Sequence, residues 1–85
     1  MDYKMIENKV KEFCESEYEE AEKYCGSKES IINKRAMAYG VVHFTTNYLF
    51  PQFHYRLGDW WNYEMRKKFQ KLIEKNSWQN KRKVI

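Results

Sequence analysis

The sequence predicts an all-α domain: a small bundle of three helices at about 2–25, 28–50 and 60–77, with an aromatic connector at 51–59 and a basic C-terminal tail. Three observations carry this expectation. Punctuation is scarce, with three Gly and one Pro in 85 residues, so the elements are long. Apolar residues recur at helical rather than alternating spacing. Seven Tyr, five Phe and three Trp offset a charged content of 33%, because each ring can remove ~150–250 Å² from water. The length permits one domain over 1–85, with residues 79–85 expected to fray.

In the first helix, Tyr3, Ile6, Val10, Phe13, Cys14, Ala21 and Tyr24 fall on one stripe at ~100° per residue. Glu12, Glu15, Glu19 and Glu22 stack on a ridge facing away from it. Glu17 breaks the pattern by projecting toward the apolar stripe. A buried carboxylate there needs Arg35, Arg56 or His43 as a partner, or else marks a partly exposed face or an interface. Gly26 stands where a left-handed helix stop is expected.

Ser27 or Ser30 can cap the second helix. From Ala36 to Phe44 every residue except His43 is apolar or glycine, on all sides of the wheel, which reads as the central element. Tyr39 to Thr46 is β-branched enough to suit a strand, but no second alternating run exists to pair with it, so helix is preferred. Gly40 inside that helix suggests close approach of another backbone. Pro51 ends the second helix, and Asp59 is a fitting cap for the third, whose inward face is Trp61, Met65, Phe69, Leu72 and Ile73.

Charge divides unevenly: residues 1–30 carry net −4 and residues 31–85 net +8, summing to +4. This points to two surfaces with different partners. No run of 18 apolar residues and no apolar leader is present, and there are two cysteines, so a cytoplasmic protein without membrane contact is expected. Cys14 and Cys25, eleven positions apart in one helix, stand ~16 Å apart, beyond the ~7 Å that a disulfide spans. Cys14, Cys25, His43 and His54 are four potential zinc ligands, but they lack the short pairwise spacing of zinc sites, so no metal and no cofactor is expected. No phosphate-binding glycine loop, G-x-S-x-G or H-E-x-x-H occurs, and an enzyme is not expected.

Leucine, the usual filler of helical cores, occurs only at positions 49, 57 and 72, so some rings fill the core and a surplus must show. Aromatic and arginine side chains dominate binding hot spots, which nominates Tyr48, Phe53, Tyr55, Arg56 and Trp60 around Pro51 as a partner-binding surface. The resulting expectation is a small non-enzymatic regulator or inhibitor, possible as a homodimer, that occludes a larger protein partner stoichiometrically. A nucleic-acid-processing enzyme or complex of a bacterium, blocked in the manner of a phage inhibitor, fits the acidic ridge, whose carboxylates can mimic a phosphate strand. The alternative is nucleic-acid binding by the basic third helix and tail through Lys67, Lys68, Lys71, Lys75, Lys81, Arg82 and Lys83.

Overall fold

The computed structural model describes residues 2–83, and the side chains of residues 2–76. It is an up-down-up arrangement of three helical rods measuring 55 × 19 × 17 Å, with no strand among the described residues. Helix α1 spans Tyr3–Tyr24 and α2 Lys28–Phe44. The second rod continues through a π-helical turn, Thr45–Leu49. The third begins with a 3₁₀ turn, Pro51–Phe53, and runs through α3 (His54–Trp60), a second π-helical turn (Trp61–Met65) and α4 (Arg66–Lys83). The third rod is helical to Lys83, past its expected end near 77, and of residues 79–85, expected to fray, 84 and 85 lie outside the described residues. Tyr39 to Thr46 is helical, as the absence of a pairing partner predicts.

Local chemistry sets the boundaries. Asp2 accepts the Met5 N–H at 3.2 Å, and Ser27 accepts that of Ser30 at 3.2 Å, each satisfying an orphan donor of a first turn. Two sequence expectations about glycine fail. No glycine has positive φ, and α1 ends instead on an extended Cys25 whose N–H reaches the Ala21 carbonyl. A Cβ on Gly40 would meet nothing within 4 Å, so no backbone approaches there. The connector also departs from expectation: residues 51–59 are already helical, and Asp59 lies inside α3 rather than capping it. Proline at the first position of that rod needs no hydrogen-bonded N–H, which lets the chain restart a helix at once.

The reason the third rod starts early is legible in its core. Phe53, Leu57, Trp61, Met65, Phe69 and Ile73 are all buried, at intervals of four. In an α-helix each step of four overshoots a full turn by ~40°, so such a seam would wind away from its neighbours. The π-helical turn Trp61–Met65, where the Arg66 N–H bonds the Trp61 carbonyl, inserts a residue and brings the seam back inward. Rings take the place of leucine: Tyr39, Trp61, Phe69 and Tyr18 form a chain across the bundle with successive centroids 5.4, 6.0 and 5.4 Å apart.

Helix α1 packs differently. Its buried positions are Glu7, Val10, Cys14, Glu17 and Ala21, alternating in steps of three and four. The stripe expected from hydrophobicity is thus rotated: Ile6 and Phe13 are half-buried, while Tyr3 and Tyr24 are exposed. Small Cys14 and Ala21 let α2 come close, with the Cys14 thiol 3.5 Å from the Ala38 carbonyl. The two carboxylates take bases from the other rods. Glu17 lies 3.3 Å from Lys34, which also bonds Glu20 at 2.7 Å, and Glu7 lies 3.5 Å from Arg56 and 3.9 Å from Lys11. The partner of Glu17 is therefore Lys34, one helical position from the expected Arg35, and Arg56 is committed to Glu7.

Candidate functional site

Exposed apolar side chains gather at the Pro51 end of the bundle. Tyr48 is 71% and Tyr55 77% exposed. Beside them stand Tyr3, Met5, Phe44 and Leu49, also exposed. Beneath this surface Tyr3, Phe50 and Phe53 pack edge to face with centroids 5.7–5.9 Å apart. The nominated surface is thereby divided. Phe53, 2% exposed, is a core residue and cannot meet a partner. Trp60 is half-buried and turned toward α1, with the Lys11 ammonium 5.5 Å from its ring. Arg56 is exposed along its stem but tethered to Glu7. Tyr48 and Tyr55 remain exposed, Tyr48 stacked on Phe44 at 5.7 Å and Tyr55 edge to face with His54 at 5.4 Å.

Two grooves flank α2. Between α1 and α2 an apolar groove of ≈ 350 Å³ is lined by Met5, Ile6, Lys9, Val10, Phe13 and Val41. Met37 and Phe44, both 53% exposed, extend it one turn either way along α2. Apolar residues all round the wheel predicted that α2 would be enclosed. It does touch both other rods, but a three-rod bundle leaves its outer side open, so Met37, Tyr39 and Phe44 show.

Between α2 and the third rod lies a groove of mixed character, ≈ 380 Å³, lined by Arg35, Ala36, Tyr39, Trp61, Asn62 and Arg66. It continues past Tyr39 and Trp61 into a recess of ≈ 120 Å³ bordered by His43, His54, Thr46, Asn47 and Gly58. Asn47 Nδ2 lies 2.9 Å from the His43 carbonyl, which can only accept, so the amide nitrogen faces the ring. His43 Nδ1, 3.2 Å from that nitrogen, is then the acceptor, and the neutral ring carries its proton on Nε2. Sequence reasoning missed this groove because its residues come from positions 35–66 and only helix packing assembles them. The available signal was a pair of arginines and two rings, Arg35 and Tyr39 on α2 and Trp61 and Arg66 on the second π-helical turn and the start of α4.

The acidic ridge is as expected: Glu12, Glu15, Glu19 and Glu22 are all exposed. Glu12 pairs with Lys9 at 3.4 Å and Glu22 accepts the Tyr18 hydroxyl at 3.5 Å, both at the surface. Burial, with Glu22 adding repulsion and a hydrogen bond, raises the Tyr18 pKa. Of the lysines, Lys67, Lys68, Lys71 and Lys75 are exposed. They do not form one free face, since Lys68 lies 5.6 Å over the Tyr18 ring and Lys67 5.9 Å over Tyr63. Lys81, Arg82 and Lys83 lie outside the described side chains.

Both cysteines are free. Burial, and then the charges of Glu15 and Glu17, push the Cys14 thiol from 9.0 up to about 12, so it stays protonated and packs as a small apolar group. No group of three or more His, Cys, Asp or Glu able to hold a metal occurs among the described residues. No described helix is long and apolar enough to cross a membrane. No protein-family model, curated protein or solved structure matches this chain.

Proposed function

We propose that the protein works without catalysis, by seating an amphipathic helix of a larger protein partner in the α1/α2 groove and occluding that partner one to one. The observation that carries this reading is the displaced stripe of α1. Glu7 and Glu17 occupy its buried seam, while Ile6, Phe13 and Met5 face the groove opposite Val41, with Met37 and Phe44 exposed one turn to either side of Val41 on α2. Side chains at i, i+3 and i+7 of an incoming helix match a groove of this kind. Tyr48, stacked on Phe44 at 5.7 Å, adds an exposed aromatic anchor at its Pro51 end. The acidic ridge on the outer side of α1 supports a partner whose neighbouring surface is basic, as in an enzyme or complex that handles nucleic acid.

Photo-crosslinking distinguishes this surface from the rest. A benzophenone side chain at position 48 is expected to capture one discrete partner in cells, and Met5→Ser with Phe44→Ser to abolish the capture. The same probe at position 24, where Tyr24 is 81% exposed at the far end, is expected to capture none. Equal capture from both positions would overturn the proposal, as would a product of twice the protein's own mass and no other, which would mean self-association.

A further inference from the structure

The groove on the opposite flank of α2 plays no part in that reading, and it combines two arginines with aromatic walls. Arg35 and Arg66 line the same cavity. Neither has an ion-pair partner among the described residues. No aspartate or glutamate lines either the groove or the recess that continues it. Two guanidiniums in one concavity repel each other, and an anion between them relieves the repulsion. Their planar forks suit phosphate in particular, which they hold bidentately.

Tyr39 supplies the second element. Tyr39 is 47% exposed and its ring packs against Trp61 at 5.4 Å and His43 at 5.7 Å, so it is held in place while about half of the residue stays open to a ligand. Backbone geometry converges on the same place. Both π-helical turns contribute to the walls, the first through Thr46 and Asn47 and the second through Trp61 and Asn62. Such single-turn insertions recur at functional sites. Asn47 also fixes the His43 ring and its tautomer, leaving Nε2–H as a donor. The volume of ≈ 380 Å³ falls within the range of small-molecule sites, ~300–1,000 Å³.

We propose that this groove binds a phosphate-bearing nucleobase, with the phosphate between Arg35 and Arg66 and the base stacked on Tyr39. The ligand chemistry is the same for a free nucleotide and for one unit of a single strand, so the test has an arm for each. The full chain is titrated with AMP, adenosine, inorganic phosphate and an eight-residue oligoadenylate, following tryptophan fluorescence, to which Trp61 in the groove contributes, and equilibrium dialysis. AMP is expected to saturate and to bind at least about tenfold tighter than adenosine or phosphate alone. Arg35→Gln with Arg66→Gln is expected to lose that binding by about tenfold or more, and Arg35→Lys, which keeps charge but not the fork, to lose part of it. Tyr39→Leu is expected to erase the preference for AMP over phosphate.

Lys23→Gln with Lys28→Gln makes the same change in net charge at exposed positions outside the groove and is expected to leave binding unchanged. An oligonucleotide that binds tenfold tighter than AMP, with the gain lost in the arginine variant, identifies a strand as the ligand; equal affinity identifies a free nucleotide. The proposal is overturned if AMP does not saturate by about 10 mM, if it binds no tighter than phosphate, or if the lysine variant weakens binding as much as the arginine variant. The crosslinking result at position 48 bears on neither outcome, so the two proposals fail separately.

Discussion

The two grooves beside α2 are nearly equal in volume, ≈ 350 and ≈ 380 Å³, and differ in chemistry: aliphatic and aromatic side chains with Lys9 line the first, and two arginines, an asparagine and two rings line the second. Their difference traces to the seams beneath them. Against the third rod the buried seam is wholly apolar, from Phe53 to Ile73, so polar side chains such as Arg35, Asn62 and Arg66 stand at its margin. On α1 the seam includes Glu7 and Glu17, and the apolar Ile6 and Phe13 are turned to the margin instead. A carboxylate in a seam thus creates an apolar surface beside it. A charge held inside needs a base on a neighbouring rod, and Lys34 at 3.3 Å and Arg56 at 3.5 Å meet that need by ion pairing, with the buried Glu17 Oε2 and Glu7 Oε1 left without a hydrogen bond.

The largest expected effect is on the common core. Phe69 is 0% exposed and touches Tyr18 of α1 on one side and Trp61, a wall of the second groove, on the other, so Phe69→Ala should cost about 3–5 kcal/mol in urea titration and loosen the Trp61 groove before the α1/α2 groove. An unchanged stability would show that the chain of rings does not hold the third rod to α1. A smaller change addresses the charged seam alone. Lys34→Met leaves the Glu17 carboxylate buried with no base, a loss of about 1–3 kcal/mol, whereas Lys34→Met combined with Glu17→Leu should recover most of it. If the double variant is as unstable as the single one, the pair does not set the packing of α1.

Alkali separates the same two sides. Cys14 lies between α1 and α2, and its thiol is raised from 9.0 to about 12, so the folded state holds a proton that the unfolded chain releases between those values. The thiol's contribution is complete below pH 9.0 and is lost as pH rises toward about 12, at up to ~1.4 kcal/mol per pH unit. Cys14→Ala should flatten that part of the stability profile, measured by thermal unfolding across pH 8 to 11, and an unchanged slope would discount the buried thiol. The smallest effects compare the grooves themselves. Arg35→Gln with Arg66→Gln should stabilise by less than about 0.5 kcal/mol at low salt and not at high salt, because the repulsion it relieves is screened. Met5→Ser with Phe44→Ser should change stability by about 0.5 kcal/mol or less and show no such salt dependence, both residues being more than half exposed.

Much of this was readable along the chain. The helices at 2–25 and 28–50, the cap at Ser27, the inward run from Trp61 to Ile73 and the surplus of exposed rings all follow from periodicity and composition. The early start of the third rod was present too, as the steps of four from Phe53 to Ile73, but that spacing indicates a helix only once a π-helical turn is admitted. Phe53 and Tyr55 differ by two positions and look alike as aromatic residues. On a helix they point to opposite sides, and one fills the core while the other is 77% exposed.

By itself the sequence determined the helical class, the rod boundaries to within a turn at most ends, the acidic outer ridge of α1 and the replacement of leucine by rings in the core. These depend on contacts between residues three or four apart, which local order encodes. Tertiary structure alone decided which face of α1 is buried, which base Glu17 meets, and that Arg35, Tyr39, Asn62 and Arg66 share one groove. Those outcomes depend on the rotation and register of whole helices against one another, a choice made by the best joint packing of three rods and written in no single one of them.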